Sequence, residues 1–261
     1  MLYVGTAGFS YPDWTGVFYP EGMKSQDFLK FYSEEFNCVE LDFTYYRQPV
    51  PTTMEAMARR VPEGFRFTVK AHKTMTHEVP ESLEEQGREF ATFAEGVRPM
   101  AERGALGCIL YQFPWGFRCN PKNLEYVCSL GERISMAPAV VEFRNGEWAK
   151  DSVYKALKDN GLGFCCVDEP NLKGLFPRVS VVTSGVAYLR FHGRNAAKWW
   201  SHKEAWERYD YLYSDDELRS WIPKVREMES EADETYVLYN NCHRGQAALN
   251  ARRMKELLEL A

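Results

Sequence analysis

In residues 187–195, "AYLRFHGRN", Tyr188, Arg190, His192 and Arg194 share one parity, while Leu189, Phe191 and Gly193 share the other. Successive side chains of a strand point to opposite faces, so the pattern predicts a strand with one apolar and one cationic face. The alternation recurs along the chain. Val39, Leu41 and Phe43 alternate with Glu40, Asp42 and Thr44, and Phe67, Val69 and Ala71 with Thr68, Lys70 and His72. Val141 and Phe143 alternate with Glu142 and Arg144, while Gln112, Asp168 and Asn240 end apolar runs at the same late position.

Strands are predicted over residues 2–9, 38–46, 66–73, 106–113, 138–144, 162–169, 186–194 and 235–242. Amphipathic helices fall between most of them. Thr52–Glu55, Ser82–Glu85 and Ser214–Glu217 read as capping boxes, and Asn120–Pro121 as an N-cap followed by proline at the first helical position. Ser25 precedes an apolar stripe at Phe28, Leu29, Phe31, Tyr32 and Phe36. Asp151 caps a short helix that Gly161 ends, and a last helix follows Gly245. Residues 170–185, with Pro170, Gly174, Pro177 and Gly185, read as loop where a sixth helix is due, and Pro223 should kink a helix over 214–230. Strands alternating with helices imply a parallel sheet. Eight such units in 261 residues match the ~250 residues of a (β/α)8 barrel. The expected architecture is α/β: one TIM-type barrel domain over residues 1–261 with an irregular sixth unit.

In such a barrel Leu189 and Phe191 pack under the helices, and Arg190 and His192 point into the lumen near the strand's C-terminal end, where barrel enzymes keep their active sites. Any one of these charges is explained by internal pairing, such as Glu142 with Arg190 or Glu40 with Lys70. Stability alone gives little reason to gather Glu40, Lys70, His72, Glu142, Arg144, Asp168, Arg190 and His192 at one end, because a buried ion cluster is often replaceable by apolar side chains at little cost.

The net charge of −5 argues against whole-molecule attraction to nucleic acid or an acidic membrane. The seven cysteines are odd in number and form no CxxC pair, which speaks against a disulfide scaffold or a zinc ribbon. "MLYVGTAGF" carries no basic leader and no long apolar run. A reduced, cytoplasmic protein without a membrane span is expected.

"GTAGFSYPDWTGVFYP" (5–20), "CVELDFTYYRQP" (38–49), "FTVKAHKTMTHE" (67–78), "VEFRNGEW" (141–148), "YLRFHGR" (188–194) and "YNNCHRGQAALNA" (239–251) together resemble the YecE-like family, also called domain of unknown function 72. The resemblance runs in order from residue 3 to the C-terminus. It implies a TIM-type barrel distantly similar to the endonuclease IV and xylose-isomerase group, and it implies no established reaction. The clustered His, Glu and Asp ligands of that group's multi-metal sites do not assemble here. Asn145 stands where the family often carries a histidine.

The candidate chemistry is anion binding with proton transfer. Arg190 and Arg144 offer planar forks for phosphate or carboxylate and Lys70 a point charge; His72, Arg194 and Asn240 are candidates beside them. The turn at Gly245 could seat a phosphate at the start of the last helix. Glu142, Asp168, His192 and Glu40 are candidate acid–base residues. Trp199 and Trp200, beside Lys198, offer a stacking surface for a sugar or base. No cofactor is expected, and a divalent metal on Glu40, Asp42, Glu142, Asp168 and His192 is the secondary reading, opposed by the interleaved cations. The leading function is an enzyme acting on a phosphorylated or carboxylated sugar- or nucleotide-like substrate at the barrel mouth. The alternatives are a nucleic-acid-binding or repair protein and a non-catalytic barrel acting through protein partners.

Overall fold

The computed structural model describes residues 1–260. Eight parallel strands close into a barrel in sequence order, β1 pairing with β8. They are β1 (Leu2–Ala7), β2 (Cys38–Leu41), β3 (Arg66–Lys70), β4 (Leu106–Phe113), β5 (Ala139–Phe143), β6 (Gly163–Asp168), β7 (Val186–Phe191) and β8 (Glu234–Tyr239). The helices are α1 (Phe28–Glu35), α2 (Pro51–Ala58), α3 (Leu83–Glu102), α4 (Pro121–Cys128), α5 (Leu130–Arg133), α6 (Asp151–Asp159), α7 (Ala196–Trp199), α8 (Asp215–Arg219), α9 (Ile222–Glu231) and α10 (Gln246–Leu257). The expected α/β TIM-type barrel is the observed fold, and no helix lies between β6 and β7.

The local signals acted largely as their chemistry dictates. Ser214 and Glu217 form a reciprocal capping box, and Asn120 accepts from the Asn123 N–H ahead of α4. Ser82 caps α3 by accepting from the Glu85 N–H. Three readings differ in detail. α2 begins at Pro51 with Val50 as its N-cap, because proline suits the first turn and displaces the start from Thr52. Asp151 is the first helical residue of α6, after Lys150. Pro223 does more than kink its helix: it opens α9 as a separate element after α8, since a proline lacks the N–H that would continue the ladder.

The layer between strands and helices is apolar, with Val39, Leu41, Val69, Val141, Leu189 and Phe191 all buried. The lower lumen is filled by aromatic rings. Tyr3 stacks on Tyr236 at 4.9 Å, and Tyr188 lies 5.7 Å from Tyr236. Gly107 makes room for this layer, since a Cβ there would sit 2.3 Å from the Tyr236 hydroxyl. Above the tyrosines the filling turns ionic. No helix among the described residues is long and apolar enough to cross a membrane.

Candidate functional site at the barrel mouth

The C-terminal half of the lumen is built on Arg190, fully enclosed on β7. Its Nη1 donates to Glu142 Oε2 at 2.5 Å and its Nη2 to Glu40 Oε1 at 2.6 Å. The Tyr188 hydroxyl donates to Glu40 Oε2 at 2.8 Å and lies 2.7 Å from Thr68 Oγ1. On the far side His192 Nε2 donates to Glu142 Oε1 at 3.2 Å, and its Nδ1 accepts from Asn240 at 3.1 Å. Arg144 adds a second guanidinium, its Nε 2.6 Å from Glu142 Oε1 and its Nη1 3.2 Å from Glu169 Oε2. Buried charges persist only when paired, and this floor is paired throughout.

The floor's titrations follow from burial against charge. Burial alone would raise the Glu142 carboxyl, but Arg190, Arg144 and His192 outweigh it and hold it well below the usual range. For Glu40 burial wins over Arg190 and Tyr188, and the carboxyl is raised. Burial, reinforced by Arg144, holds the His192 imidazole well below its ordinary value, so it stays neutral at neutral pH. Burial lifts Glu169 to about 7 against the pull of Arg144.

Above this floor lies a cavity of about 260 Å3. Lys70, Arg144, Arg208 and His77 supply its basic lining, and Tyr45, Trp115, Trp199, Trp200 and Tyr209 its aromatic walls, with no acidic residue among the lining groups. Lys70 Nζ donates to Gln112 Oε1 at 3.0 Å and faces the Tyr45 ring at 4.5 Å. No carboxylate lies within ion-pairing distance of it among the described residues. Burial, then the Arg190 charge, lowers its pKa to about 8. Arg208 is also without a carboxylate partner there: its Nε donates to the Trp199 carbonyl at 3.1 Å, and its guanidinium lies 5.4 Å from the Trp199 ring centroid. Burial, aided by Lys70 and Arg144, takes His77 down to about 4. Trp115 and Trp200 meet edge to face at 5.9 Å on the rim.

The pattern of the family of proteins of unknown function DUF72 matches residues 3–261. The chain belongs to the DUF72 family. The UPF0759 protein YunF of Bacillus subtilis is 32% identical over 275 residues, spanning 100% of this chain and 95% of that protein. The UPF0759 protein YecE of Escherichia coli is 29% identical over 124 residues, 48% of this chain and 41% of its own. Among solved structures, a DUF72 protein of Thermotoga maritima superposes with a TM-score of 0.90 at 43% identity, covering 99% of each chain. One of Enterococcus faecalis superposes with a TM-score of 0.88 at 28% identity over 100% of this chain and 96% of that one. The two solved DUF72 proteins share this barrel, and none of the four relatives is named for a reaction.

The DUF72 mouth brings together only part of the set read from parity. Glu40, Lys70, Gln112, Glu142, Arg144, Arg190, His192 and Asn240 converge, but only Lys70, Gln112 and Arg144 of these reach the cavity wall. Asp168 does not join them. β6 pairs with β7 so that Val167 lies beside Arg190 and Asp168 beside Phe191, which turns the Asp168 carboxylate to the outer face. There it accepts from Arg194 Nε at 2.7 Å, Tyr213 OH at 2.9 Å and Trp221 Nε1 at 2.7 Å. Arg194 leaves the lumen with it, because β7 ends at Phe191 and Gly193 turns the chain at φ +84°. His72 faces away as well: β3 ends at Lys70, and the imidazole Nδ1 lies 2.8 Å from Thr74 Oγ1 and 3.7 Å from Glu89 on α3.

The Gly245 turn is an N-cap at φ +75°, yet its neighbourhood already holds an anion. The Arg244 N–H donates to Asp13 Oδ2 at 2.7 Å, and the Gly245 N–H is directed at the Cys242 carbonyl. Trp199 is buried as a wall and Trp200 is half exposed at the rim. Asn145 holds the rim loop, accepting from the Glu147 N–H at 2.9 Å and donating to the Trp115 carbonyl at 2.7 Å. Among the described residues no group of three or more His, Cys, Asp or Glu is placed to hold a metal ion; Glu40 and Glu142 are engaged by Arg190, and Asp168 lies outside.

Four residues escaped the sequence reading: His77, Glu169, Arg208 and Tyr209. Glu169 sits one residue past β6, His77 in a loop, and Arg208 and Tyr209 in a 3-10 turn over Ala205–Tyr209, where strand parity has no reach.

Proposed function

We propose that this protein is an enzyme acting by acid–base chemistry on a small anionic substrate, a phosphorylated or carboxylated sugar- or nucleotide-like molecule, at the C-terminal mouth of the barrel. The observation that carries this reading is the acid-free basic lining of the cavity, with Lys70 and Arg208 both lacking a carboxylate partner. A cation facing a cavity without a counter-ion stands to gain most from an anionic ligand. Arg208 and the outer edge of Arg144 hold the anion. Trp199, Trp200 and Tyr209 take the flat or apolar part of the substrate. Proton transfer falls to Lys70 and His77, which line the cavity, and not to Glu142 or His192, which are locked in the floor.

A volume of about 260 Å3 lies at the small end for ligand sites. It favours a small molecule over a nucleic-acid strand, as does the net charge of −5. The test is thermal unfolding with inorganic phosphate at matched ionic strength. Phosphate raises the Tm of the wild type by preferential binding to the native state and does so much less in Arg208→Met. Equal shifts in the two proteins remove the anion site and this reading with it.

A further inference from the structure

We infer that Lys70 is the nucleophile of this cavity, its ε-amine condensing with an aldehyde or ketone carbonyl of the anionic substrate to form an imine. The inference rests on the anionic-substrate reading and adds to it the functional group that reacts.

The argument begins with how the barrel treats its other interior cations. Arg190 is engaged by Glu40 and Glu142, and Arg144 by Glu142 and Glu169. Each is a guanidinium that keeps its proton at any ordinary pH. Lys70 is an amine, the one type of basic side chain among these that deprotonates within reach of neutrality, and it is the one left without a carboxylate. If the position only held an anion, an arginine fork would serve it better.

No carboxylate is paired with Lys70 to fix its proton. Its single hydrogen-bond partner, Gln112 Oε1, is neutral and accepts from either an ammonium or an amine. Glu40 and Glu142 across the lumen favour the ammonium form, but both are turned to Arg190. The Tyr45 ring face at 4.5 Å favours the ammonium form, yet burial and the Arg190 charge outweigh it and bring the amine to about 8. Desolvation beside a second cation is the established way to activate an amine toward carbonyl carbon. Gln112 holds the nitrogen at the cavity wall, and Arg208 and Arg144 remain to carry the substrate's charge.

The step balances as follows. The lone pair of the neutral Lys70 amine forms a C–N bond to the carbonyl carbon, and the π electrons move to oxygen. One proton leaves the nitrogen for that oxygen, and a second comes from solvent, with His77, neutral above about pH 4, as the relay in the cavity wall. The C–O bond breaks, water departs, and the imine nitrogen keeps one proton and the positive charge. No oxidant or metal is consumed.

The experiment treats the intact protein with glyoxylate and sodium cyanoborohydride near neutral pH, digests it, and follows carboxymethyl addition at each lysine by mass spectrometry. An amine at about 8 has roughly two orders of magnitude more neutral form at neutral pH than an ordinary lysine. Lys70 is therefore expected to be labelled at least about tenfold faster than exposed Lys24, Lys122 and Lys155. Inorganic phosphate should slow labelling at Lys70 alone. Lys70→Arg should lose the adduct while keeping the phosphate-induced rise in Tm. Labelling of Lys70 no faster than at the exposed lysines overturns the inference. If phosphate then still raises the Tm of the wild type more than that of Arg208→Met, the imine alone falls. If it does not, the anionic-substrate reading falls as well.

Discussion

Lys70 Nζ rests 3.0 Å from Gln112 Oε1, a cation held by a neutral amide in a lumen where every other buried cation meets a carboxylate. Such an arrangement costs the empty protein stability, and sites that bind ligands often carry this kind of cost. Lys70→Met should therefore be more stable than the wild type at neutral pH without ligand, by on the order of 1–3 kcal/mol. The sign with pH follows from the lowered amine. Between about 8 and the ordinary lysine value the unfolded chain holds a proton that the native state has released. Native stability thus rises with pH across that window, and the advantage of Lys70→Met shrinks. Urea denaturation of both proteins near pH 7 and pH 10 measures it; a variant less stable than the wild type at pH 7 contradicts the account.

Arg190 plays the opposite part. It bridges Glu40 and Glu142 below the cavity, so Arg190→Met leaves two buried carboxylates without their shared partner. The expected loss is about 3–5 kcal/mol, read by chemical denaturation. Arg190 does not line the cavity, so the phosphate-induced shift in Tm should survive wherever the variant remains folded.

Glu169 should give the barrel a pH signature. Its carboxyl, lifted to about 7 by burial, keeps a proton in the native state that the unfolded chain gives up near pH ~4.3. The unfolded state binds fewer protons through that window, so this group's contribution to stability falls as pH rises across it, by up to about 1.4 kcal/mol per pH unit, and levels off above. Glu169→Gln lacks the titration. Relative to it, the wild type should be more stable near pH 5 than near pH 7.5. A difference that moves the other way would mean that Arg144 wins over burial.

Asp168 tests the boundary of the site. Its carboxylate gathers Arg194, Tyr213 and Trp221 on the outer side of the barrel. Asp168→Ala should cost about 3–5 kcal/mol by leaving Arg194 with Glu217 alone and two buried donors without their acceptor, with the phosphate response of the folded protein intact. Loss of that response without loss of stability would return Asp168 to the mouth.

The legibility of these parts in the sequence follows the strands. β7 writes its two faces plainly, because Leu189 and Phe191 are apolar where Arg190 is not, and the late lumen positions of β2, β3 and β5 follow the same rule. β6 is different. "GFCCVD" is buried along its whole length, with apolar side chains on both faces, so its parity carries no information and Asp168 was assigned to the wrong side. More than one residue past each strand's end the alternation lapses, which is why Lys70, Arg144, His192 and Asn240 lie where parity puts them and His72 does not. Most of the cavity wall comes from the segments after β2, β3, β4 and β7. There neither periodicity nor capping chemistry says which way His77, Arg208 or Tyr209 will turn.

The ionic floor makes a second seam across the barrel, running from Thr68 through Tyr188, Glu40, Arg190, Glu142 and His192 to Asn240. If the chain is divided between β4 and β5, Glu40 goes with one half and its guanidinium with the other. Neither half can build the floor alone, since one would hold Glu40 without its guanidinium and the other an arginine with one of its two carboxylates missing. Each half therefore lacks a partner that only the other supplies, and the floor belongs to the closed barrel as a whole.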